Sequence, residues 1–351
     1  MTTFDKFVPS VFVVTSPFQA LCAIAAIRQL EITDYKMFLY VPRSDPRNSQ
    51  TIKLLKDNDI EYTLYKTYSF LNTFLNYRFK LGAICRRKNH YLRLFVGDFR
   101  NYMQLYIGAN YVSNSSSLIY LDDGNVTIAL LKDQITNPLS GLNKLLFTII
   151  SKYRNITPFK NMMTIYDDIP NTKYHISPLN LSYAISGKKN KSSEGGKGVF
   201  VVGTNIKLYC LAMQYKYDDY VNKLDEIMYR LRLEYPKEPV IYIPHGRDTS
   251  EDAQDICHRY GCEFRKLDVM VEIELLRLSY SPLAVYGFTS SALYTLKKLY
   301  PDIKVVNILF DGDKNNGYYK EYLVTSKYYE RNGIELIKES LKSHSLKRPT
   351  D

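Results

Sequence analysis

"VFVVTSPFQALCAIAAIRQL", residues 11–30, decides the fold class. Its first four residues form an uninterrupted apolar run, the signal of a buried strand. Polar residues interrupt the run, and the Ala, Leu and Ile positions that follow suit a helix. Strand, loop and helix in that order predict a β/α unit.

Outward from this opening the pattern repeats. "MFLYVP", "LRLFVGD" and "SLIYLDDG" read as further strands separated by polar or helical stretches, the alternation of a parallel sheet with crossover helices. Residues 186–198, "SGKKNKSSEGGKG", hold only Gly, Ser, Lys, Asn and Glu and read as a linker. The second half restarts in the same style. "VFVVGTN", "VIYIPHG", "LAVYGFTSSALYTLKKL" and "KVVNIL" carry strands, and "YVNKLDEIMYRLRLEY" is an amphipathic helix. The expected organisation is α/β: one Rossmann-like β/α/β domain over residues 1–186, a linker over 187–198, and a second such domain over 199–351. Two such domains leave a cleft between them, and in open α/β sheets ligands bind beyond the carboxyl ends of the strands.

Composition bounds the rest. The 351 residues suffice for two cores, and 45% hydrophobic with 24% charged residues is the make-up of a folded chain. Apolar runs such as "LLFTII" at 145–150 are far shorter than the roughly 20 residues that cross a bilayer. The N-terminus lacks a secretory pattern, and Cys22, Cys85, Cys210, Cys257 and Cys262 are scattered, so free thiols in a cytoplasmic protein are expected. A net charge of +11 draws the protein to polyanions. The densest basic cluster, residues 77–93, and the apolar "LNKLLFTIISKYR" at 142–154 are the stretches expected to rest on an anionic inner membrane, if they are not solvated face and core helix. No nucleic-acid motif is visible, and nucleic acid is not an expected partner.

Four motifs fall at strand ends. "TSPFQ" brings Ser16 and Gln19. "LDDG" brings Asp122 and Asp123 with Gly124 for a tight turn, and offers either a plain turn or a carboxylate base for an acceptor hydroxyl. "PHGRD" brings His245, Arg247 and Asp248, where a cationic ring would protonate or neutralise a leaving phosphate. "GFTSS" sets Thr289, Ser290 and Ser291 at a helix start, where hydroxyls cap the helix and free N–H groups make a phosphate site. Gly203 and Thr204 follow the first strand of the second half and, with Ser16, Gln19 and Arg247, are expected at the donor, and Asp98 ends "LFVGD", facing an acceptor. "FDGD" at 310–313 has the spacing of a metal-binding acidic pair but the composition of a turn. No metal site is expected.

Taken in order, these motifs resemble those of bacterial sialyltransferases of the GT-B architecture, most closely the lipooligosaccharide sialyltransferase family and related polysialyltransferases. The resemblance spans roughly residues 9–310. It implies that the acidic "DDG" motif supplies the general base, with Asp122 favoured over Asp123. It implies that His245 meets the nucleotide phosphate, although Gly246 stands where the family has proline. It further implies that Ser290 and Ser291 bind the CMP phosphate, and that Glu272 or Glu274 holds the ribose hydroxyls. The implied reaction is metal-independent, cofactor-free and inverting: sialic acid passes from CMP-sialic acid to a terminal sugar, galactose by expectation, of an oligosaccharide or glycolipid acceptor such as lipooligosaccharide, O-antigen or capsule. Another GT-B donor, CMP-Kdo or a hexose nucleotide, is the alternative, and a non-enzymatic polyanion-binding protein is a distant one.

Overall fold

The computed structural model describes residues 4–41, 45–66, 90–98, 101–109, 111–132, 157–171, 173–185, 195–277 and 280–341. The chain divides into two compact units, Met1–Gly187 and Lys188–Asp351.

The first unit runs β1 (Ser10–Val14), α1 (Pro17–Gln29), β2 (Tyr35–Val41), α2 (Asn48–Lys56), β3 (Thr63–Lys66), β4 (Tyr91–Val96), α3 (Tyr102–Ala109), β5 (Val112–Tyr120), α4 (Asn125–Leu131), β6 (Thr157–Thr164), β7 (His175–Pro178) and α5 (Ser182–Ile185). Its strands form one parallel sheet in the order β3-β2-β1-β4-β5-β6-β7. Every residue of β1 is buried, as expected of a central strand in a parallel sheet. Helix α1 is apolar on nearly every side because it packs between α2 and α5. The chain winds one way from β1 to β2 and β3, then the other way from β4 onward. The switch point between β1 and β4 is where such sheets open a ligand crevice.

Of the basic cluster at 77–93, residues 77–89 lie outside the described residues, as does the whole of 142–154. Arg93 does not face solvent. Its guanidinium is buried and donates to Ser10 Oγ at 3.2 Å, Asp5 O at 2.8 Å and Val8 O at 3.0 Å, pinning the N-terminal segment at the amino ends of the strands.

The second unit runs β8 (Gly195–Val202), α6 (Ile206–Met213), α7 (Tyr217–Glu234), β9 (Val240–Ile243), α8 (Asp252–Arg259), β10 (Glu263–Phe264), α9 (Val271–Arg277), β11 (Tyr280–Gly287), α10 (Ser291–Leu299), β12 (Lys304–Phe310), α11 (Gly317–Arg331) and β13 (Glu335–Glu339). The sheet is again parallel, in the order β10-β9-β8-β11-β12-β13, with its switch point between β8 and β11. Strand β8 begins at Gly195, inside the stretch that composition assigns to the linker, because backbone pairing with β11 recruits Gly195 and Lys197. Tyrosine fills this core: Tyr220 packs on Phe288 and Phe310 at centroid distances of 5.9 and 5.3 Å. No described helix is long and apolar enough to cross a membrane.

Candidate functional site

In the first unit, the loops after β1, β4 and β5 are tied together at the carboxyl edge of the sheet by two glutamine side chains. Ser16 caps α1, accepting from Gln19 N at 3.3 Å, with Pro17 in the first helical turn. In a capping box the residue at Gln19's place would reach back to the cap N–H. Here Gln19 Oε1 accepts from Thr15 N at 2.8 Å instead, one residue further back, and from Gln104 Nε2 at 3.0 Å. Its amide nitrogen is thereby aimed outward and donates to Asp123 Oδ1 at 2.7 Å. Gln104, on α3, completes the clamp: its Oε1 accepts from Gly97 N and Asp98 N, both at 2.9 Å, and its Nε2 also donates to Thr15 Oγ1 at 2.6 Å. A Cβ at Gly97 would stand 2.5 Å from the Gln19 side chain, so a larger residue there would push the clamp aside.

The two aspartates of "DDG" differ sharply. Asp122 has no exposed surface; Thr164 Oγ1 donates to its Oδ1 at 2.6 Å and Ile165 N to its Oδ2 at 2.8 Å. Burial pushes its pKa up to about 7, against the lowering effect of the hydrogen bonds from Thr164, Ile165 and Thr127, and the charge of Asp123 adds to the rise. Asp123 is half-buried and lies at the surface of the strand edge, held by Gln19. The resemblance favours Asp122 over Asp123 as the base; the structure gives Asp122 the proton affinity suited to neutral pH and Asp123 the accessibility. Gly124 turns the chain with φ of 69°, a conformation glycine adopts without strain, and starts α4. Asp98 is also half-buried at the end of β4, with its backbone fixed by Gln104.

In the second unit, "PHGRD" leaves β9 as a tight turn, Asp248 N donating to His245 O at 2.7 Å. Arg247 N donates to His245 Nδ1 at 3.1 Å, so the neutral ring carries its proton on Nε2. Asp248 is engaged within the fold. It accepts from Ser250 Oγ at 3.0 Å and from Ile206 N at 3.4 Å, and burial raises its pKa. The turn is laced to the loop after β8 by Asn205 Nδ2, which donates to Arg247 O at 2.7 Å. Gly203 and Thr204, expected at the donor, face inward: a Cβ on Gly203 would stand 2.2 Å from Tyr242 Oη, and Thr204 Oγ1 lies 3.1 Å from Tyr220 Oη. The Arg247 side chain is exposed.

At the end of β11, Ser290 is the N-cap of α10 and accepts from Ala292 N at 3.3 Å, while half-buried Ser291 opens the helix. Thr289 departs from expectation. It is buried, its hydroxyl lies 3.4 Å from Ser326 Oγ, and its φ of 49° is left-handed. Helix α9 packs against α10 and carries both candidate glutamates. Glu272 is buried and its pKa is pushed up to about 7 by that burial, whereas Glu274 is half-buried. In the "FDGD" stretch, Asp313 Oδ1 accepts from Asn315 N at 2.8 Å and shapes the turn before α11.

Sequence reasoning missed Gln104, Thr164 and Asn307. Gln104 and Asn307 are fully buried amides inside the apolar stretches "YMQLYIGA" and "KVVNILF", and a polar residue interrupting such a run was the available signal.

No protein-family model and no curated protein matches the chain. Solved structures with a similar fold include two bacterial sialyltransferases. The alpha/beta-galactoside alpha-2,3-sialyltransferase of Photobacterium phosphoreum, a luminous marine bacterium, has a TM-score of 0.50 at 13% sequence identity, covering 95% of this chain and 98% of that one. The GT-B domain of a sialyltransferase from Photobacterium damselae has a TM-score of 0.49 at 12% identity, covering 94% of this chain and 100% of that one. The chain therefore shares the fold of the first of these, and each of its two units is an α/β, Rossmann-like domain built on one parallel sheet.

Proposed function

We propose that the protein is an inverting sialyltransferase that moves sialic acid from CMP-sialic acid to a hydroxyl of a terminal sugar, galactose first among candidates, on a bacterial surface glycan. The observation that carries this reading is the clamped acidic pair at the carboxyl edge of the first sheet, on a fold shared with an alpha-2,3-sialyltransferase over nearly the whole length of both chains.

The first unit supplies the base. The pair Asp122 and Asp123 takes the acceptor hydroxyl's proton; Asp122 has a pKa matched to neutral pH, and Asp123, fixed by Gln19, meets the incoming sugar. The second unit supplies the donor site. His245 Nε2–H donates to a phosphate oxygen of CMP, and the Ser290–Ser291 turn offers hydroxyls at the positive end of the α10 dipole. The leaving group is a single phosphodiester, so these neutral donors, the imidazole Nε2–H among them, stabilise departing CMP without a metal ion in the scheme. One displacement at the anomeric carbon, with the acceptor oxygen entering as the CMP oxygen leaves, inverts that centre. Glu272, inside the fold beside α10, and Glu274 are the carboxylates proposed for the ribose hydroxyls. A glycolipid acceptor would bring the protein to the cytoplasmic face of the inner membrane.

The test is CMP release from CMP-sialic acid with galactose-terminated acceptors in EDTA, for the wild type and for Asp122→Ala, Asp123→Ala and His245→Ala. Metal-independent turnover that is lost in the variants is the expected result. Turnover with CMP-Kdo or a hexose nucleotide, and none with CMP-sialic acid, would transfer the reading to another donor.

A further inference from the structure

We infer that Asn307, together with Ser326, is a positioning residue for the donor-phosphate turn, holding Thr289 in the left-handed conformation that presents Ser290 and Ser291; the inference rests on the CMP-donor reading above. Thr289 is β-branched, and at a φ of 49° such a residue is strained, so its surroundings have to hold it there. The surroundings do so from two elements. Parallel pairing of β11 with β12 sets Asn307 opposite Gly287, two residues before Thr289. From there Asn307 Oδ1 accepts from Thr289 N at 2.7 Å, and Asn307 Nδ2 donates to Ser326 Oγ at 2.9 Å. Both side chains are fully buried, so these bonds have no competition from solvent. Ser326 Oγ in turn lies 3.4 Å from Thr289 Oγ1.

A second anchor comes from the same face of α11, where Tyr329, three residues after Ser326, donates from its hydroxyl to Ser290 O at 3.1 Å. Asn307 thus holds the residue before the cap, and Tyr329 holds the cap itself. Without the Asn307 acceptor, Thr289 N–H loses the buried bond that holds it, and the turn relaxes toward an ordinary φ. That rotates Ser290 Oγ and the first N–H groups of α10 away from a phosphate bound there.

The experiment is calorimetric titration of CMP into the full chain. Asn307→Ala, still folding cooperatively, should bind CMP about tenfold more weakly, the effect of one lost buried hydrogen bond. In turnover assays the donor KM should rise and the acceptor KM hold. Glycine adopts the left-handed turn without help, so Thr289→Gly/Asn307→Ala should return to within about threefold of wild-type affinity. Unchanged affinity in Asn307→Ala, or a double variant no better than the single one, overturns the inference while leaving the donor reading intact. If Asn307→Ala does not fold, Ser326→Ala decides: about threefold weaker binding supports the inference and unchanged binding overturns it. A wild-type chain that does not bind CMP overturns the donor reading, and the inference with it.

Discussion

Gln19 Nε2 donates to Asp123 Oδ1 at 2.7 Å, across 104 positions of sequence, while the same side chain's oxygen is held by Thr15 N and Gln104 Nε2. The amide is fixed at both ends, and Asp123 takes its orientation from it. Gln19→Ala should therefore lower transfer about tenfold through kcat and leave CMP affinity unchanged, because the groups proposed for the CMP phosphate, His245, Ser290 and Ser291, lie in the other unit. A parallel loss of CMP affinity, read by calorimetry, would contradict that division of labour.

Asp122 links the site to pH. With its pKa near 7, transfer should rise through an acid limb close to neutrality as Asp122 loses its proton. The Thr164 hydroxyl favours the charged carboxylate, so Thr164→Val should move that limb to higher pH by about one unit. A pH profile of kcat/KM for both proteins checks the direction. A limb that stays in place in Thr164→Val would detach it from Asp122.

Loss of the base should be severe. Asp122→Asn is expected to reduce transfer by about 10²–10⁴-fold and remove the acid limb, while the protein remains folded. In Asn the amide can donate to Thr164 Oγ1 and its oxygen accept from Ile165 N, so the buried pairs survive. Activity within a few fold of wild type in this variant would exclude Asp122 from proton transfer.

Glu272 makes a prediction about stability rather than rate. Its folded pKa of about 7 stands above the unfolded value near 4.5. Between those two the folded state holds a proton that the unfolded state has released. Its burial therefore weakens the fold progressively as pH climbs from about 4.5 to about 7, and the deficit persists above. Glu272→Gln should raise thermal stability at pH 8, by on the order of 1–3 kcal/mol, and make little difference at pH 4.5. Thermal unfolding at the two pH values separates this from a uniform packing effect.

The β/α alternation was legible because buried parallel strands such as "VFVV" and "VIYI" are pure apolar runs and their helices are not. The candidate residues were legible because switch points put chemistry at strand ends, and His245, Ser290 and the two aspartates all stand there. What sequence could not assign was direction. Asp122 and Asp123 are identical neighbours, yet one is enclosed by Thr164 and Ile165 and the other is held at the edge by Gln19. Gly203 and Thr204 looked like ligand-facing positions and are occupied by Tyr242 and Tyr220 from within. Those outcomes depend on contacts between residues tens of positions apart, which no local window contains.

The strand order also governs how the chain must be assembled. The middle of the first sheet joins Ser10 to Arg93, and the middle of the second joins Gly195 to Tyr280. Neither β1 nor β8 can find its inner neighbour until a long intervening segment has left the ribosome, which makes both sheets slow to close. The sequence separation is nevertheless confined within each unit, so the first can finish folding before the last strands of the second are translated. The acidic pair of the first unit can accordingly be in place while the second unit is still a nascent chain.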